Sequence, residues 1–98
     1  MHGLPGGTHR HGPYRYLPPK AYNPKNELPR GTGGGYLDRF GNEWQQGPAH
    51  GRAAAEGFSR EWDVQLSAAG GKRWGQAAKQ GAGGKVYLNV TPDGFLSH

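Results

Sequence analysis

At 98 residues the chain has room for one domain, and Leu, Val and Phe together number only 13 with no Ile, so its core is small and must draw on three Trp and five Tyr. Nineteen Gly and eight Pro call for turns between short strands, and the lack of Cys excludes both a disulfide framework and a thiolate metal site. The net charge of +5 is concentrated early: residues 1–35 carry five basic groups against Glu27 (5 − 1 = +4), residues 36–98 seven against six (+1), and no apolar run reaches the length of a membrane span or of a signal peptide.

Residues 1–16 lack periodicity and read as a flexible tail or the end of a linker, leaving residues 17–98 as the single folded domain. His2, His9 and His11 fall in that tail without a supporting carboxylate or thiolate, so no metal site is expected there. From residue 17 to 30 the prolines and the phrase YNPKNELP imply extended, irregular chain with turns. The basic residues of 1–35, with Tyr14, Tyr16 and Tyr22 interleaved, suit a phosphate backbone and stacked bases, although composition favours a solvated linker. GTGGG reads as a hinge. YLDRFGNEW then has a hairpin signature, with Gly41-Asn42 at the turn and Trp44 on the return.

The alanines of GRAAAEGF suit one short helical turn at most, because Gly57 is a poor interior helix residue. In EWDVQLS, period-two alternation sends Trp62, Val64 and Leu66 to one face and Glu61, Asp63, Gln65 and Ser67 to an exposed one. SAAGGKRWGQAAKQGAGGK reads as glycine-rich connections around Lys72 and Arg73, neither glycine cluster having the Lys-Ser/Thr ending of a phosphate loop. KVYLNV is a second clear strand, TPDG a type I turn, and FLSH a returning last strand. The expected fold is mainly β with α+β still open: a small, strongly twisted antiparallel sheet behind a long irregular N-terminal segment.

Glu61 and Asp63 stand roughly 7 Å apart along their strand. Two acids so close can divide into a proton donor and a proton acceptor; the same pair also suits a solvated face neutralised by Arg60, Lys72 or Arg73. The phrases YLDRFGNEWQQGP, EWDVQLS and YLNVTPDGFLSH, in that order over residues 17–98, resemble the polymorphic toxin type 17 domain, a C-terminal bacterial effector predicted to be a ribonuclease. A more distant similarity is to ribosome-inactivating colicin nucleases, which share the proline-rich basic lead, a glycine run and the Glu-Trp-Asp triplet. That similarity implies metal-independent RNA cleavage with Asp63 in the site. It departs where the colicins place a His and a Glu, since this chain has Leu66 and Gly70 there.

The resulting expectation is a translation-inhibiting endoribonuclease acting on rRNA or tRNA without a cofactor. Asp63 and His98 would form the acid/base pair, with His50 as the other candidate imidazole. Glu61 would orient the pair, and Lys72 and Arg73 would hold the phosphate. Arg60, Gln65, Lys20, Arg39, Lys85, Tyr87 and Asn89 would contact RNA. An acidic immunity protein is the expected partner, no obligate homo-oligomer is expected, and action in a target-cell cytoplasm after delivery from the producing bacterium follows from the resemblance. A non-enzymatic RNA-binding module and a deoxyribonuclease remain the competing classes.

Overall fold

The computed structural model describes residues 12–98. Strands β1 (Tyr36–Leu37) and β2 (Glu43–Pro48) make the expected hairpin, with Tyr36 opposite Trp44 and Gly41 at φ 82°, in the left-handed conformation its tight turn requires. The short helix α1 (Gly51–Ala55) leads into β3 (Arg60–Gln65), which pairs with β2 on one side and with β5 (Val86–Val90) on the other. A two-residue strand β4 (Lys79–Gln80) completes a fully antiparallel sheet in the order β1-β2-β3-β5-β4. The fold is mainly β with a minor helical part. Both edge strands have only two residues, and the outer side of β1 is bridged by Arg30 opposite Tyr36.

The chain after β3 corrects the sequence reading. Helix α2 (Ala68–Trp74) and a 3₁₀ turn at Gly75–Ala77 stand where glycine-rich connection was expected. Ser67 caps α2 by accepting from the Gly70 N–H at 3.0 Å, and a Cβ at position 70 would lie 1.8 Å from Asn42 Oδ1. Gly70 therefore buys close approach rather than flexibility. It lets α2 close on the hairpin loop, where Asn42 Oδ1 accepts from the Ser67 N–H at 2.9 Å and Asp38 accepts from Phe40, Asn42 and the Trp44 indole. The GTGGG hinge is likewise a closed turn: Gly33 and Gly35 donate to the Glu43 carboxylate at 3.4 and 3.0 Å. The expected last strand is reduced to one bridge, Leu96 to Val90, the chain after the turn at residues 91–94 returning beside β5 with Ser97 N–H donating to Asn89 O at 2.7 Å.

The core lies on the Trp62 and Val64 face: Tyr16, Leu28, Trp44, Trp62, Val64, Leu88 and Val90. Trp44 is fully buried and meets Tyr16, Trp62 and Trp74 at ring separations of 5.8, 6.3 and 6.4 Å. Aromatic area thus replaces the missing aliphatic volume. Of the tail expected over residues 1–16, residues 1–11, with all three of its histidines, lie outside the described residues. Residues 12–16 belong to the packed structure: Gly12 and Tyr14 donate to Asp93 O and Gly94 O at 3.0 and 2.9 Å, and Tyr16 is 1% exposed, its hydroxyl donating to Leu37 O at 2.7 Å.

Candidate active site

The strand alternation read from EWDVQLS holds as far as Gln65, where β3 ends; Ser67, expected on the same face, caps α2 instead, and the register supplies the rest of the polar face. Gln45 on β2 and Asn89 on β5 lie opposite Asp63; Tyr87 lies opposite Gln65, and Lys79 on β4 opposite Tyr87. Glu61 is not on an open face but is 3% exposed, roofed by the α1 entrance and by residues 97–98.

That roof is held by backbone bonds. Arg52 N–H donates to Ser97 O at 2.7 Å, and Gly51, at φ 50°, sits where a Cβ would lie 2.2 Å from the same oxygen. Ser97 Oγ accepts from the Ala53 N–H at 3.1 Å and lies 2.7 Å from His50 O and 2.8 Å from Glu61 Oε1, its single proton serving either. Glu61 Oε1 also accepts from the His50 N–H at 2.9 Å, and Oε2 lies 2.8 Å from His98 Nε2. Lys79 Nζ stands 3.0 Å from His98 Nδ1 and donates to Asn89 Oδ1 at 3.0 Å. An ammonium can only donate, so Nδ1 accepts from Lys79 and Nε2 carries the hydrogen given to Glu61. The His50 ring meets the His98 ring edge-on at 5.8 Å.

The two carboxylates are pushed apart. Burial works to raise the Glu61 carboxyl, but hydrogen bonds from the His50 backbone, His98 and Ser97 outweigh it and hold the group below its ordinary value. Asp63, an exposed residue, moves the other way: partial desolvation of its carboxyl, then the Glu61 charge, lifts it above the ordinary carboxylate value against the pull of Lys79, His98 and Lys85. A firmly ionised carboxylate orienting an imidazole, next to a second carboxyl of raised basicity and an ammonium, is an arrangement suited to moving protons around a phosphate.

The sequence-derived candidates divide by face. Asp63, Glu61, Gln65, Tyr87 and Asn89 lie on this side of the sheet, His98 is bonded to Glu61, and Lys85 lines a hollow with Asp63. Lys72 and Arg73 do not join them: they ride on α2, whose Trp74 packs on Trp44 at the core face, and they line a separate cavity with Tyr14 and Trp74. Arg60 alternates with Glu61 and falls on the Trp62 side, while Arg39 is tied to the Pro18 carbonyl and Lys20 is exposed in the irregular segment. Lys79 takes the place expected of Lys72 and Arg73. Its signal was KQGAGGKVYL, a hairpin pattern that pairs Lys79 with Tyr87. His50, Glu61 and His98 also place one ligand atom each within 4.8 Å of one another, a set able to hold a divalent cation.

No curated protein and no solved structure matches the chain. The family model described as Novel toxin 17 matches residues 6–98.

Proposed function

For a chain that belongs to the Novel toxin 17 family, the toxin domains of polymorphic toxin systems, we propose a metal-independent endoribonuclease that cuts rRNA or tRNA and so halts translation in the cell to which it is delivered. The observation that carries this reading is the linked set Glu61, His98 and Lys79 beside a carboxyl, Asp63, of raised basicity. Asp63 takes the proton of the ribose 2′-OH, whose oxygen attacks phosphorus. The bond to the 5′-oxygen breaks, and that oxygen receives its proton from His98 Nδ1, which takes up a solvent proton once the phosphate draws Lys79 away from it, the Glu61 carboxylate on Nε2 holding the imidazolium until it gives that proton up. Lys79 offsets the charge that builds on the phosphoryl oxygens, and Glu61 fixes the plane of the imidazole. The products are a 2′,3′-cyclic phosphate and a 5′-OH.

The acid/base pairing of Asp63 with His98 is the one expected from sequence, with the cation reassigned to Lys79. An immunity protein suits a domain of this family, and a net charge of +5 favours an acidic one. The test is incubation of the purified protein with total RNA in EDTA, followed by mapping of the cut ends. Cyclic-phosphate ends made by the wild type and lost, by about 10²-fold or more, in Asp63→Asn support the reading; undiminished cutting by that variant sinks it. The His50, Glu61 and His98 set favours a second reading, a metal-dependent nuclease. Cutting abolished by EDTA and restored by zinc or magnesium would establish that one instead, although the Lys79 ammonium 3.0 Å from His98 Nδ1 disfavours a second cation there.

A further inference from the structure

Beside Asp63 the polar face opens into a hollow of about 240 Å³ lined by Gln45, Asp63, Gln65, Gly81, Lys85 and Tyr87. We propose that this hollow seats one base of the RNA next to the cleaved phosphate and selects a base whose amine stands at purine C6 or pyrimidine C4, adenine or cytosine. This proposal rests on the ribonuclease reading above.

Position and chemistry both support it. Asp63 belongs at once to the proton-moving cluster and to the hollow, so a nucleotide with its ribose at Asp63 can lay its base toward Gln65, two residues or about 7 Å along the strand, and Tyr87 opposite it. Tyr87 offers a half-buried ring held from two sides: the Lys79 ammonium lies 5.5 Å from its centroid, and Gly81 comes so close that a Cβ there would sit 3.2 Å from Cε1. A fixed aromatic face is a platform for base stacking.

The selection comes from Gln45. Its Nε2 donates to Gly33 O at 2.8 Å and to Glu43 Oε2 at 2.9 Å, so the NH₂ is spent on two oxygens and the orientation of the amide is fixed by chemistry. Among the described residues no protein donor reaches its Oε1. That atom is a committed acceptor on an exposed side chain, open to a donor from the ligand in place of water. Adenine N6 and cytosine N4 supply one; guanine O6 and uracil O4 would face it lone pair to lone pair. Gln65, whose side-chain amide makes no hydrogen bond among the described residues, is free to give an N–H to a ring nitrogen beside the amine.

The test uses the whole chain with chimeric oligodeoxynucleotides carrying a single ribonucleotide, A, C, G or U in turn. Cutting at A and C is expected to exceed cutting at G and U by roughly tenfold, and Gln45→Leu is expected to level the four rates. Equal rates in the wild type, or a preference that Gln45→Leu leaves intact, overturn the proposal. Binding of 2′-O-methyl dinucleotides, followed by NMR at the Gln65 amide and the Tyr87 ring, separates the two readings. If no oligonucleotide is cut but the A and C dinucleotides bind more tightly than G and U, the base seat stands and the ribonuclease fails. Equal binding of all four with no cutting removes both.

Discussion

Single side chains decide whether this cluster is built for proton transfer. Asp63 is lifted above its ordinary value, so its ionisation is disfavoured in the folded state and the cost appears as pH rises from the ordinary carboxylate value through the raised one. Asp63→Asn should therefore raise the melting temperature at neutral pH while abolishing cleavage, and calorimetry beside an activity assay reads both. The acid limb of the wild-type pH–rate profile should fall with an apparent pKa above that of a free aspartate. Glu61 has the opposite sign: its lowered value gives stability present above the ordinary glutamate pKa and lost as pH falls through the depressed one. Glu61→Gln removes that acid-side dependence. It also sets an amide against three donors, for a loss of about 1–3 kcal/mol, read as a smaller change in denaturation midpoint between pH 3 and pH 6 than the wild type shows. Lys79→Met should keep the folded circular-dichroism spectrum and slow cutting of RNA by about 10²-fold, whereas Lys72→Met, on the other face, should change the rate little.

At the scale of elements, α2 depends on two small residues at its start. Ser67→Ala removes the cap at a cost of about 1 kcal/mol. Gly70→Ala drives a methyl into Asn42 Oδ1 and should cost more, about 1–3 kcal/mol, with urea midpoints ranking wild type, Ser67→Ala, Gly70→Ala. The same position explains why this helix escaped a reading from sequence. Local propensity counts Gly70 and Gly71 against a helix, and only the packed hairpin loop reveals why one of them must be glycine. By contrast β3, β5 and the first hairpin were legible, since Trp62, Val64, Leu88 and Val90 keep strict period-two alternation over a buried face. The site was legible to the same degree. Glu61, Asp63 and Gln65 share a face by local periodicity, but Lys79 reaches His98 only through the β4 and β5 pairing, a register that two residues of strand and a glycine turn barely mark.

Across the whole molecule, a basic protein with an aromatic core and few aliphatics gains much from any partner that binds only its folded form. An acidic protein at saturating concentration should raise the melting temperature, and RNA affinity should fall steeply as salt rises from 50 to 200 mM, as counterion release requires. The two edges of the sheet carry a separate implication. Each is a strand of two residues, and one is already bridged by Arg30, so a neighbouring copy finds almost no row of unpaired amides and carbonyls on which to extend the sheet. Concentrated stocks should therefore scatter light as monomers and fail to seed thioflavin-positive fibrils, which would let a producing cell stockpile this chain without a filament-forming side reaction.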